Sequence, residues 1–293
     1  MKLGLMLPIV TQPPKFGANE WEVHGTGADL AAVAQAAERA GYTHLCAPEH
    51  VALPVTREDT RGSIYWCPFS TLGLIAGATE TISLATYVLV LGYHHPLDIA
   101  KRVGTLDRIS GGRAVLGVGV GSLVEEFALL NVPFDDRGAR ADDAMAALRA
   151  SMGARIPAYS GKYVEFGGMI VDPGLRADTE VWVGGRSLRS LRRAIEFADV
   201  WSPFSLNVTE AAALLADPRT VAALGQRDRP LEVFLYPAVE QIDPVGDPDA
   251  VSRQLDAARD AGLSGFIPHF VHTSRAHFIE QTEALAALAA GRT

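Results

Sequence analysis

The sequence predicts a (β/α)8 barrel of the TIM-barrel class, one domain over residues 1–293, with a small β-hairpin insertion between strands 4 and 5 at about 154–180. Three observations predict it. Eight short apolar runs alternate with eight segments of helical periodicity. One βαβ unit is legible in full from Ile82 to Gly121. Strand 1 is followed by Pro8-Ile9-Val10. The alternative, a doubly wound sheet, would need a glycine-rich turn at that point.

Strand 1 is Lys2 to Leu7, and a turn-rich segment from Ile9 to Gly27 follows it. Helix 1, Asp29 to Ala40, carries Leu30, Val33, Ala34 and Ala37 on one stripe and stops at Gly41. Tyr42 to Ala47 is strand 2, and a second long loop covers Val51 to Cys67. Helix 2 spans about Phe69 to Ala78. Ile82 to Leu91 reads as one strand buried on both faces. Pro96 opens the next helix, where its missing N–H costs nothing, and Gly111-Gly112 closes it. Ala114 to Val118 is strand 4. Val124 to Leu130 and Arg140 to Met152 read as helices. Pro and Gly then punctuate the run Lys162 to Phe166, which reads as the hairpin. The remaining strands are Val181 to Val183, Val200 to Ser202, Leu231 to Val239 and Gly265 to Pro268. Helices at Leu188 to Ala198, from an N-cap at Thr209, at Asp249 to Ala261 and after Ser274 complete the alternation.

The formal net charge of −8, without a run of Lys or Arg, argues against nucleic-acid binding. The four lysines, Lys2, Lys15, Lys101 and Lys162, follow no predicted strand, which weighs against Schiff-base chemistry. Cys46 and Cys67 lack a C-x-x-C partner and read as reduced cysteines of a cytoplasmic protein. No signal-peptide core is expected at the N-terminus, and no apolar run is long enough for a membrane span.

A barrel carries its chemistry at the C-terminal ends of the strands. That selects Glu49 and His50, Val90 to His95, Gly119-Val120-Gly121-Ser122, and Gly184-Gly185-Arg186-Ser187. The last group follows a strand and opens a helix, so backbone N–H groups, the helix dipole, Arg186 and Ser187 could hold a phosphate. The plainer reading is a βα turn with Ser187 as N-cap. Gly119 and Gly121 would let a flat ring or a pyrophosphate lie against the backbone, or simply make a tight turn. His50, His94, His95, His269 and His272 invite a metal reading, but no histidine follows strand 1 and His94-His95 would diverge on an extended segment. No metal is expected.

The run YHHPLDIAKRVGTLDRISGGRAVLGVGVGS resembles the core of the bacterial-luciferase-like family, close to its F420-dependent members. KLGLMLP, APEHVALP and VWVGGRSLRSLRRAIEFADVW extend the likeness. The resemblance implies an oxidoreductase that transfers a hydride between coenzyme F420 and a small organic substrate. FMN-dependent monooxygenation and non-catalytic flavin binding are the alternatives. It implies catalytic roles for His50, as proton carrier, and for Glu49, which stands where relatives commonly have Asp. It implies that Tyr87-Val88, with a cis peptide, backs the cofactor ring and that Gly184 to Ser187 hold its phosphate. Ser122 stands where sugar-phosphate dehydrogenases of the family have Glu, with Glu125 three residues on, so that substrate class is not expected. A homodimer is the expected assembly.

Overall fold

A computed structural model describes residues 1–12, 14, 19–237 and 241–291. Eight parallel strands close on themselves: β1 (Lys2–Met6), β2 (His44–Ala47), β3 (Ser83–Thr86), β4 (Ala114–Gly119), β5 (Val181–Gly184), β6 (Val200–Ser202), β7 (Glu232–Pro237) and β8 (Gly265–Phe266). Closure comes from β8 pairing with β1, where Lys2 faces Gly265 and Leu3 faces Phe266. The surrounding helices include α1 (Gly27–Arg39), α2 (Pro68–Ala78), α3 (Pro96–Ser110), α4 (Arg137–Ser151), α5 (Leu188–Phe197), α6 (Val208–Leu215), α7 (Pro248–Asp260) and α8 (Arg275–Ala290). The barrel prediction holds, and Tyr159–Ser160 pairs antiparallel with Glu165–Phe166 as the inserted hairpin.

Strand alternation divides the apolar side chains between two cores. Cys46, Ala85, Val115, Trp182, Val200, Phe234 and Ile267 fill the barrel interior. Leu5, Leu45, Leu84, Leu116 and Val183 face outward onto the helices. Trp182 packs against both His44 and Phe234, with ring centroids at 4.7 and 4.6 Å. Beside Phe234 the chain tolerates only Gly265, because a Cβ there would meet the ring at 2.4 Å.

The single strand expected over Ile82 to Leu91 is in fact broken. Ala85 pairs with Val115, but the next parallel pairing joins Leu89 to Val118, so the first chain carries one extra residue. Inside this bulge the Tyr87–Val88 peptide is cis. The Thr86 hydroxyl replaces the lost ladder there, donating to Gly117 O at 2.7 Å and accepting from Gly117 N–H at 3.0 Å. An apolar run looks the same with or without a bulge, so hydrophobicity could not reveal it. After Leu89–Val90 the chain turns through a 3-10 segment, Leu91–Tyr93, into α3. Gly111 closes α3 in the left-handed region at φ 71°.

Other boundaries shift by local chemistry. The cap of α6 is Asn207 rather than Thr209, because Asn207 and Glu210 make a reciprocal capping box at 2.8 Å each way. Helix α4 begins at Arg137, three residues before the periodic stretch. β7 ends at Pro237, and the expected Ala238 and Val239 lie outside the described residues. No helix among the described residues is long and apolar enough to cross a membrane.

Candidate active site

The bulge after β3 places Val88 over two glycines. A Cβ on Gly119 would meet Val88 Cγ2 at 2.5 Å, and one on Gly184 would meet Val88 Cγ1 at 2.7 Å. Only hydrogen at both positions lets the ends of β4 and β5 cradle Val88, whose side chain stays partly exposed at the mouth. Tyr87 takes the opposite direction. Its ring is buried in the barrel, and its hydroxyl meets Ser202 Oγ at 2.8 Å, while Ser202 Oγ donates to Phe234 O. Burial pushes the Tyr87 phenol well above its ordinary pKa. Of the expected ring-backing pair, Val88 thus offers a side chain at the mouth, whereas Tyr87 plugs the barrel beneath it.

Glu49 and His50 leave β2 side by side and turn to different partners. Glu49 is buried, and each of its oxygens already accepts a short hydrogen bond, from His94 Nε2 at 2.7 Å and from Val90 N–H at 2.7 Å. It therefore ties β2 to the segment just past the bulge. His50 Nδ1 lies 2.7 Å from Glu126 Oε2. Glu126 comes from the short helix Val124–Leu129 after β4, and only 1% of it is exposed. The same carboxylate accepts from Tyr93 OH at 3.0 Å and from the N–H groups of Val51 and Ala52 at 2.6 and 3.3 Å. Burial alone would raise its pKa. The hydrogen bond and charge of His50, the Val51 N–H and the Tyr93 hydroxyl outweigh burial and hold it below the ordinary value. An ionised carboxylate can only accept, so His50 Nδ1 carries the proton. Burial and the Glu126 charge push the Tyr93 phenol far up, which keeps it a donor.

Sequence reasoning missed Glu126 and weighed its neighbour Glu125, which instead faces Arg57 at 3.6 Å. The available signal was position. Glu126 falls at i+3 from Leu123 and directly before Phe127, on the buried stripe, where an unpaired carboxylate would be too costly. His94 and His95 do diverge: His94 turns in to Glu49, and His95 Nδ1 caps α3 by accepting from Leu97 N–H at 3.1 Å. No group of three His, Cys, Asp or Glu among the described residues could hold a metal ion.

The loops after β1 and β2 meet over the mouth. Thr11 and Tyr65 form an antiparallel bridge, and Trp66 N–H donates to Val10 O at 2.9 Å. The Tyr65 ring stands edge-on to His50, with centroids 4.5 Å apart. Arg61 reaches across to the exposed Ser122 hydroxyl at 3.4 Å. Gly121, at φ 79°, turns the chain against Phe127. On the far side, Gly185 adopts φ 134°, and Arg186 and Ser187 are exposed at the N-terminus of α5. Ser187 closes a capping box with Ser190, as the N-cap reading expected, while the Leu188 and Arg189 N–H groups have no intrahelical acceptor by their position. Capping and anion binding are therefore compatible at this turn.

Comparisons with known proteins agree with this architecture. An uncharacterised protein of Mycobacterium tuberculosis is 30% identical over 243 residues, covering 78% of this chain and 83% of its own. An F420-dependent hydroxymycolic acid dehydrogenase of the same organism is 26% identical over 250 residues, covering 84% of this chain and 67% of its own. The solved structure of EDTA monooxygenase from Chelativorans sp. BNC1 superposes with a TM-score of 0.78 at 14% identity, covering 100% of this chain and 94% of its own. The family model for luciferase-like monooxygenases matches residues 1–240, and the chain belongs to that family.

Proposed function

We propose that the protein is an F420-dependent oxidoreductase that transfers a hydride between the deazaflavin and a small organic substrate. The observation that carries the reading is the His50–Glu126 pair at 2.7 Å, which like the Val88 cradle lies at the C-terminal ends of the barrel strands. The relative named as an F420-dependent dehydrogenase supports the choice of cofactor. The residues present fit a flat, phosphate-bearing group. Gly119 and Gly184 keep the floor level around Val88, and Gly185 to Ser187 present backbone donors and an exposed Arg186 at a helix N-terminus.

Coenzyme F420, when bound, supplies the carbon that gives or takes the hydride. Gly184 to Ser187 would hold its phosphate, and Val88, Gly119 and Gly121 would back its ring. Glu126 fixes the His50 tautomer with Nδ1–H donating, which leaves Nε2 as the lone pair. Substrate oxidation releases a proton, and His50 Nε2 takes it. Glu49 has an anchoring role in this scheme, since both of its oxygens are engaged by the post-bulge segment. The loops linked at Thr11 and Tyr65 lie over the mouth and would shield a bound ring from water.

The second reading, an FMN-dependent monooxygenase, draws on the description of the family itself. Fluorescence titration of the purified protein with oxidised F420 and with FMN decides between them. Saturable micromolar F420 binding with much weaker FMN binding is expected. Tighter FMN binding supports the second reading, and binding of neither refutes the phosphate-site assignment. The proposed working form is a cytoplasmic homodimer, and light scattering on the eluted protein tests the assembly.

A further inference from the structure

A second polar cluster lies away from His50, on the side of the mouth formed by β1, β7 and β8. Gln12 and Glu22 from the loop after β1, Gln241, and His269 and His272 from the loop after β8 line a chamber there. Met6, Leu7 and Phe270 are among the apolar side chains of its walls, and Thr11 and Tyr236 line it too. Tyr236 connects this chamber to the ring bed, because its ring packs against Tyr87 at 5.6 Å and against His269 at 4.4 Å.

The geometry at His272 assigns its tautomer. Trp21 Nε1–H donates to His272 Nδ1 at 3.2 Å, and Asn19 Nδ2 lies 3.3 Å from the same atom. An indole N–H has no acceptor capacity, so Nδ1 is the lone pair and the ring proton sits on Nε2. Burial, with a contribution from the charge of His277, lowers the His272 pKa to about 4, so the ring is neutral around pH 7. His272 Nε2 faces Glu22 Oε2 across 3.8 Å, beyond hydrogen-bond reach. Both side chains are largely buried, at 8% and 12% exposure. Burial pushes the Glu22 carboxyl above its ordinary pKa despite its hydrogen bond from Asn19. Thr11 Oγ1, on the same wall, is buried without a hydrogen-bond partner among the described residues. A donor, an acceptor and an unmet hydroxyl thus face one space, and none satisfies another.

We propose that this chamber is a subsite for a hydroxyl group of an uncharged ligand, His272 Nε2–H donating to it and the Glu22 carboxyl accepting from it. A hydroxyl is the small group that accepts and donates at one atom, and one oxygen can stand within reach of both partners across the gap. A carboxylate ligand would face Glu22, and an ammonium, which has no acceptor, would leave the His272 Nε2–H unmet. Reading the ligand as the substrate, held by a hydroxyl remote from the reacting carbon, rests on the hydride-transfer proposal above. The binding itself does not.

The test uses the cofactor-free protein and three matched probes: 2-methyl-1-propanol, isobutyrate and isobutylamine. Saturation-transfer NMR reads binding, and histidine ¹⁵N spectra read His272. The alcohol alone is expected to bind, with a shift at His272 Nε2. Its affinity should fall about fivefold or more in Glu22→Ala and in His272→Phe, whereas Glu22→Gln, which keeps an acceptor oxygen, should retain it. Equal binding of the alcohol to both loss variants, preference for either charged probe, or no binding to the wild type would overturn the proposal. Because no cofactor is present, failure here leaves the hydride-transfer reading intact, and failure of the F420 titration leaves the subsite intact.

Discussion

Replacing Glu126 by Gln tests the centre of the proposed mechanism. The carboxylate receives four donors: His50 Nδ1–H, Tyr93 OH and the N–H groups of Val51 and Ala52. Glutamine has nearly the same shape but only one acceptor oxygen. If that oxygen stays with Val51 and Ala52, the amide NH2 confronts His50 and Tyr93. If it turns to His50 and Tyr93, the NH2 confronts the backbone. In either orientation two part-buried donors lose their acceptor, each at up to about 1–3 kcal/mol, and access to water and relaxation of the Tyr93 hydroxyl recover part of it. The expected loss is about 1–3 kcal/mol in urea unfolding at pH 7. The folded-state pKa of Glu126 is depressed, so its contribution is present above the unfolded carboxylate value and is lost as pH falls through the folded value. The gap between wild type and variant should therefore close under acid conditions. The first orientation also forces His50 to accept at Nδ1 and to carry its proton on Nε2, which reverses its role. Turnover should fall about 10- to 100-fold while cofactor affinity changes little, and ¹⁵N histidine spectra should show the exchanged tautomer. Unchanged stability together with an unchanged His50 tautomer and pH–rate profile would refute the reasoning.

His50→Ala should lower turnover by about 10²–10⁴ with F420 affinity within a fewfold of wild type, and retained turnover would remove His50 from proton transfer. Gly184→Ala places a methyl where Val88 Cγ1 stands at 2.7 Å, so a loss of about 1–3 kcal/mol in stability and weaker cofactor binding are expected from thermal melts and titration. Arg186→Ala should weaken F420 binding about tenfold at low salt, with a smaller effect at high salt, since the side chain is exposed. His272 has a folded pKa of about 4, so the unfolded chain binds more protons below about pH 6.5, and stability should decline by about 3 kcal/mol between that pH and 4. His272→Phe should flatten this slope in urea titrations.

The barrel was legible because its cause is local. Each strand is a short apolar run and each helix an amphipathic stripe, and both periods can be read one segment at a time. The placement of Gly184 to Ser187 and of His50 at the mouth was legible because a barrel exposes strand ends. The rest depends on contacts between distant segments. Glu126 meets His50 across seventy-six residues, and Tyr93 joins them from a third strand end. The bulge at Thr86 appears only in the mismatch between its chain and β4. Neither hydrophobicity nor the spacing of motifs encodes such pairings. The one local hint was a carboxylate on the apolar stripe beside Phe127, and Glu125 next to it drew the attention instead.

Glu49 and His50 share a peptide bond, and each is held by a different part of the molecule. One is locked to the chain that carries Val88, the other to the helix after β4. The floor on which a ring would rest and the group that would exchange its proton are therefore mounted on one hydrogen-bonded bracket that joins the ends of β2 and β3 to the helix after β4. Beyond Val51 and Ala52, whose N–H groups hold Glu126, and Tyr65, whose ring packs on His50, the long loops after β1 and β2 can be exchanged or lengthened while these anchors stay in place. Such a division lets evolution retune the clientele of the barrel while its redox geometry is inherited intact, which is one physical route by which a single scaffold comes to serve both dehydrogenases and monooxygenases.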